Sequence, residues 1–252
     1  MTKHSISVII PTLNMGRFLA GGIASIQRQA IQVDEIIVVD SQSTDETADV
    51  IAHLSQADPR IRLLQAPRKG PATARNKGIE SSKGELIAFL DADCFWTRDK
   101  LALQLTRLDR EPRVDVVSGL VTHFDSLDVD RLEPSSESRT GTIFDVGVFT
   151  SIFRRSVFDR VGVFDESLMY AEDWDLFFRV LEAAIPVAIL KVSTAYSLRH
   201  SASMMAQENP RKHSDMFRAF SMSMARRRAQ GAVTELPRFE MFLEAPPEVV
   251  AS

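Results

Sequence analysis

Alternation of short apolar runs with helical patterns predicts an α/β chain whose mostly parallel sheet is flanked by helices. Two further features point the same way. The runs "ISVIIP", "EIIVVD", "IRLLQ", "ELIAFLD" and "VDVVSGLV" are nearly continuous in apolarity, as strands covered on both faces should be. Three of them close at Thr12, Asp40 and Asp91, and strand ends are where an open α/β sheet binds its ligand.

The elements follow in order. After the first strand, Leu19, Ile23 and Ile26 stand at i, i+4 and i+7, giving a helix one apolar stripe to lay on the sheet. The second helix is expected from "SQSTDET", where Ser43 and Glu46 have capping-box spacing. A third, Pro71 to Ser82, opens on a proline, whose missing N–H has no partner in a first turn anyway. Leu101, Leu105 and Leu108 share one face of a fourth. After Val121 both periods fail, and the polar stretch "THFDSLDVDRLEPSSESRTGT" reads as a functional loop or a partly disordered segment. Structure is expected to return with "GVFTSIFRRSVFDRVGVFDE", then a helix near "EDWDLFFRVLEAA", two strands "VAILKV" and "AYSLRH", and a last helix from about Pro210 to Gln230. The end, "LEAPPEVVAS", reads as a frayed tail.

Composition narrows the classes. With 252 residues, 44% hydrophobic and 25% charged, the chain suits one large globular domain with an extension. Thirty basic residues against 34 acids leave a charge of -4, without the basic excess that nonspecific nucleic-acid binding needs. Cys94 is the only cysteine, so no intrachain disulfide forms, and it reads as a small buried hydrophobe. "MTKHSISVIIP" is too short in its apolar part for a signal-peptide core, and no run reaches the about 18 to 20 apolar residues of a membrane span. A soluble cytoplasmic chain is expected. In the last helix Met216, Phe220 and Met224 recur at steps of four with Arg226, Arg227 and Arg228 behind them. That stripe reads as a core or homodimer contact, or as a shallow peripheral membrane helix.

The stretch with most chemistry is "IAFLDADCFW". Two carboxylates about 4 Å apart at an effective dielectric of about 20 repel by about 4 kcal/mol, which calls for a proton, a basic partner or a cation. Mg2+ or Mn2+ is the economical answer, because either takes carboxylate and phosphate oxygens together. A bare D-x-D is otherwise a solvated turn.

Around it, "SVIIPTLN", "IIVVDSQSTDET", "GPATARNKGI", "GELIAFLDADC", "GVFDESLMYAEDWDLFFRV" and "YSLRH" follow one another in an order that closely resembles the inverting family 2 glycosyltransferases of GT-A fold. The resemblance implies a single GT-A domain over 1–205, with a nucleotide-binding half (1–121), an acceptor-binding half (122–205), and a C-terminal helical extension and tail (206–252). It implies a nucleotide diphosphate sugar donor, with UDP the expected nucleotide, and a hydroxyl acceptor on a saccharide, a lipid-linked saccharide or a small molecule. Carried over position by position, Pro11, Thr12, Asn14, Asp40, Arg75, Asp91 and Ala92 would lie on the nucleotide side. Asp93 and His200 would hold Mn2+ or Mg2+, Asp173 would be the general base, and Glu172 and Trp174 would line the sugar and acceptor side.

Each role has a plainer counterpart. Asn14 and Asp40 suit turn caps, Arg75 a helix surface, and the acids of "AEDWD" the positive end of a helix dipole. Two departures from the family pattern, Ser41 in place of a second acid and Met15 after the loop asparagine, bear on nucleotide contacts alone. A sugar-phosphate nucleotidyltransferase would need a glycine-rich basic loop after the first strand, which "PTLNMG" does not supply. A noncatalytic nucleotide-sugar-binding module is the remaining alternative, and it has no use for a base.

Overall fold

The computed structural model describes residues 4–144, 147–201, 203, 204, 206 and 208–231. In chain order the first half runs β1 (Ile6–Thr12), α1 (Gly16–Gln27), β2 (Glu35–Asp40), α2 (Thr47–Ala57), β3 (Ile61–Gln65), α3 (Pro71–Ser81), β4 (Leu86–Phe89), β5 (Cys94–Trp96) and α4 (Lys100–Arg110). The second half runs β6 (Val116–Phe124), β7 (Leu127–Asp128), β8 (Glu133–Pro134), β9 (Gly141–Phe144), a 3-10 turn (Val148–Thr150), β10 (Ile152–Arg154), α5 (Ser156–Val161), α6 (Glu172–Glu182), β11 (Val187–Leu198) and α7 (Arg211–Ala229).

The main sheet has the order β3-β2-β1-β4-β10-β6-β11-β5, with β9 against β6. Its β3-β2-β1-β4 part and the long β6–β11 pair are parallel, while β10, β5 and β9 pair antiparallel. Strand residues alternate between two cores. Ile6, Val8 and Ile10 face the side packed by α1 and α4, and Ile9, Ile37, Val39 and Phe89 face the side packed by α3 and α6. Helices on both faces explain why these strands are apolar throughout.

The chain leaves β1 toward β2 and β3, then returns to place β4 on β1's other side. That reversal opens a crevice past Thr12 and Phe89, so the loops after both strands face each other. Helix α3 lies close over β1 because residue 78 is glycine; a Cβ there would drive into the Ile9 side chain.

Several sequence expectations need correction. Helix α2 begins at Thr47 without a capping box; Ser43 instead donates its hydroxyl to Asp40, and Asp45 accepts the Thr47 amide at 3.1 Å. "VAILKV" and "AYSLRH" form one strand, β11, whose register against β6 slips between Ile189 and Ala195. The stretch expected to be loop or disorder carries the end of β6, the β7–β8 hairpin and β9, because Leu132 buries itself against Phe95 and Phe124 and Asp125 holds Arg139. Strand β5 has too few residues for its period to register in the sequence. The last helix does not bury its Met216, Phe220 and Met224 stripe in the core. It turns Asp215, Ala219 and Ser223 inward and leaves those three side chains exposed. The expected frayed tail lies outside the described residues.

Lys100, the first residue of α4, is fully buried with no hydrogen-bond partner for Nζ among the described residues, and Nζ sits 5.1 Å from the Trp96 ring centroid. Burial pushes its pKa well below the usual lysine value. Between that lowered pKa and the ordinary one the unfolded chain binds the extra proton, so this group's penalty shrinks as pH rises. Lys100→Met should therefore raise the melting temperature near neutral pH, and the gap to wild type should close as pH approaches about 10.4. Thermal melts of both proteins across that range check it, and a gap that stays constant would place the cost elsewhere.

Candidate active site

The first two strand ends are tied together before any ligand is considered. Asn14, in the left-handed region at φ 54°, donates its amide to Ser43 Oγ at 2.8 Å and accepts the Thr44 amide on Oδ1 at the same distance. Asp40 is buried, and accepts from the Ser43 amide and hydroxyl and from Gln65 Nε2 at 3.2 Å. Both residues thus serve as turn caps, and both stand where the β1 and β2 ends meet. Thr12 is buried with its hydroxyl unpartnered among the described residues, and Pro11, half-buried, precedes it on β1.

Arg75 is where the structure departs most from the sequence reading. Its side chain is 4% exposed, and its fork turns to carboxylates rather than outward to a nucleotide. Nη2 donates to Asp91 at 2.8 Å, and Nη1 donates to Glu172 at 2.6 Å and lies 3.2 Å from Asp173 Oδ1. Phe164 closes over the guanidinium at 5.4 Å. One cation from α3 therefore joins the loop after β4 to the first turn of α6. Burial opposes its charge, yet Asp173, Asp91 and Glu172 together raise its pKa.

Asp93 pairs with His200 Nε2 at 3.1 Å, and the imidazole is stacked 4.5 Å from the Phe18 ring. Burial, then Asp91, push the Asp93 carboxyl up, with His200 opposing. The repulsion within "DAD" is thus met by two basic partners, Arg75 for Asp91 and His200 for Asp93. It does not by itself demand a cation. Among the described residues no group of three or more His, Cys, Asp or Glu closes around one point. What remains is an oxygen and an imidazole nitrogen aimed at each other across a crevice, a donor pair that fits an ion whose other positions are filled by phosphate or water.

On the far side of Arg75, Asp173 accepts the Val148 amide on Oδ2 at 3.2 Å, while Oδ1, buried beside Arg75, has no further partner among the described residues. Burial pushes its pKa up to about 8, Arg75 pulling it down and Glu172 and Asp91 adding to the rise. Glu172 is raised as well, by burial against the pull of Arg75. Trp174 points away from these acids and packs on Phe178 and on Phe220 of α7, at centroid distances of 6.1 and 6.0 Å. Ahead of α6, Ala171 holds φ 65°, a strained value for a residue with a Cβ. Buried Asp215 of α7 steadies that loop by accepting the Met169 and Tyr170 amides at 2.9 and 3.1 Å.

Sequence reasoning missed Val148, Phe164, Phe18 and Asp215. Phe164 stands inside the quoted "GVFDESLMYAEDWDLFFRV" without being singled out, and Val148, Phe18 and Asp215 belong to none of the quoted motifs. Only Asp215, an acid on a helix otherwise crowded with arginines, offers a signal.

Comparison with known proteins gives the family and the fold. The model of the family described as "Glycosyl transferase family 2" matches residues 7–162. An uncharacterized glycosyltransferase of Haemophilus influenzae is 42% identical over 106 residues, 42% of either chain. A putative teichuronic acid biosynthesis glycosyltransferase, TuaG of Bacillus subtilis, is 38% identical over 104 residues, 41% of either chain. The matched part thus spans less than half the length of these relatives. Among solved structures, S. aureus TarS 1-349 in complex with UDP-GlcNAc superposes with a TM-score of 0.71 at 22% identity, over 92% of this chain and 68% of the other. The mannosyltransferase PcManGT of Pyrobaculum calidifontis, in complex with GDP-Man and Mn2+, gives 0.62 at 19% identity, over 96% and 79%. The fold is that of the GT-A glycosyltransferases, and the chain belongs to glycosyl transferase family 2.

Proposed function

We propose that this chain transfers a sugar from a nucleotide diphosphate donor, UDP-linked, to an acceptor hydroxyl with inversion at the anomeric carbon. One observation carries the reading: Arg75 holds Asp91, at the sheet's ligand-binding edge, and Asp173, on a separate helix, on two sides of one guanidinium. The likeness to structures holding UDP-GlcNAc and GDP-Man supports the donor class. In this reading residues 1–121 bind the nucleotide and 122–205 the acceptor, with 206–252 added to the second half.

The chemistry follows from the side chains. Thr12, Asn14 and Asp40 offer acceptors and a hydroxyl at the β1 and β2 ends for the base and ribose, and Asp91 faces the ribose from the other edge. Asp93 and His200 would hold Mn2+ or Mg2+, as the complex of PcManGT with Mn2+ suggests. When bound, such an ion supplies Lewis-acid stabilisation of the departing diphosphate. The Asp173 carboxylate, held by Arg75 and the Val148 amide, receives the acceptor's proton as the acceptor oxygen attacks the face opposite the leaving group. Arg75 acts through Asp173, keeping a buried acid ionised often enough to serve as a base.

Asp173→Asn should lower the transfer rate by about 10^2-fold or more while leaving UDP binding intact. Full turnover by that variant would sink the assignment, and wild type that binds UDP-sugars without ever turning over would favour the noncatalytic module. Because Asp173 must lose its proton to act, the rate should climb with pH toward a plateau above about 8. Arg75→Gln removes the charge that lowers this pKa, so its acid limb should move to higher pH; an unmoved limb would assign the titration to another group. A thermal-shift series of nucleotide sugars with and without Mn2+ tests the metal, since a ligand specific to the folded state raises the melting temperature. UDP shifts indifferent to Mn2+ would remove it from the proposal.

A further inference from the structure

Helix α7 has two unlike sides. Its inner side is polar and satisfied: Arg226 donates to Glu182 at 2.6 Å and to Asp175 at 3.0 Å, Ser223 donates to Glu182, and Asp215 takes two backbone amides. Its outer side carries Phe217 at 73%, Phe220 and Met224 at 44% each and Met216 at 38% exposure, four large apolar side chains within nine residues. On a 3.6-residue helix these four fall on one continuous arc, so they form a stripe rather than scattered exposures. Only Phe220 has aromatic partners, Trp174 and Phe178, on one flank.

Charge indicates what such a stripe would meet. The whole chain is net negative at -4, yet α7 holds Arg211, Lys212, Arg218, Arg226, Arg227 and Arg228 against the single acid Asp215. Arg227 and Arg228 continue this side of the helix at its C-terminal end, whereas Arg211 and Arg218 lie on the far flank, where Arg218 donates to Ser167. An apolar strip that ends in two arginines, on a helix polar where it meets its own domain, has the make-up of a helix lying in a lipid interface. No helix among the described residues is long and apolar enough to cross a membrane, so the contact would be superficial.

We infer that the outer face of α7 seats this protein on an anionic bilayer, with Phe217, Phe220 and Met224 entering the acyl boundary and Arg228 meeting lipid phosphates. This contact is independent of the transfer reaction, and its test uses no turnover.

Cys94 is buried, so Phe217→Cys in the full chain provides one reactive thiol for an environment-sensitive fluorophore. Vesicles of phosphatidylcholine with one-third phosphatidylglycerol should produce a blue shift and a severalfold rise in intensity, and pure phosphatidylcholine far less. In sedimentation with the same vesicles, Met224→Glu should weaken binding roughly tenfold by placing a charge in the apolar strip. Arg228→Gln should cost about fivefold on the anionic vesicles and little on neutral ones. Circular dichroism and unchanged melting temperatures for the variants separate lost binding from lost folding. Three results would overturn the inference: no response to anionic vesicles, a label already blue-shifted in dilute lipid-free protein because the chain itself covers the stripe, or a lipid-free shift that grows with protein concentration because a second copy does.

Discussion

A buried guanidinium is the constraint around which the site is built. Arg75 has almost no contact with water, so its charge must be balanced where it lies, and it is balanced by three acids from two distant parts of the chain. Removing Arg75 would leave these acids without their counter-charge in a low-dielectric setting, which costs several kcal/mol in typical proteins. The loop after β4 and the start of α6 are therefore not free to move independently. Their separation, which sets the distance between a donor bound at the sheet edge and an acid on α6, is fixed by the two ends of one arginine fork.

The rest of the fold delivers that fork. Arg75 is three residues before Gly78, one helical turn, so the close seating of α3 on β1 that glycine permits also sets how deep the guanidinium lies. On the other side, α6 starts from a left-handed Ala171, a conformation that persists because Asp215 fastens the preceding amides. Helix α7 thus supports the start of α6 from behind, and its ion pairs to Asp175 and Glu182 bind it to α6 more firmly than a C-terminal appendage would be.

Much of this was legible in the sequence, and what was not has identifiable causes. Continuous apolar strands and the stripe of α1 announced both faces of the sheet, because burial on two sides leaves no polar alternation to confuse the pattern. The acids at strand ends were legible because an ionised group has no reason to close a buried strand unless something meets it. What met them was not legible. A lone arginine in "ATARNKG" looks the same whether it faces a nucleotide or three carboxylates 16 and 97 to 98 residues away. For the same reason the case for a metal drawn from Asp91 and Asp93 repelling each other was incomplete: the hydrogen-bonding partners of both acids, Arg75 and His200, come from elsewhere in the chain. Strand β5 and the β7–β8 hairpin are too short to show a period, and β11 hid its continuity in a register slip.

A different electrostatic argument replaces the one that failed. Asp91, Asp93, Glu172 and Asp173 share the crevice with one guanidinium and one imidazole, so its acids outnumber its bases even before a ligand enters. Burial raises Asp93, Glu172 and Asp173, which lets the empty crevice hold protons instead of uncompensated charge. A diphosphate entering there brings more negative charge, and in a medium of low effective dielectric it would drive those acids further toward the protonated state. Protonated, Asp173 is no base. A site that binds a polyanion and also needs an ionised carboxylate beside it must import positive charge along with its donor. In the proposed reaction Asp93 and His200 would receive it, because both terminal nitrogens of Arg75 are already held by carboxylates.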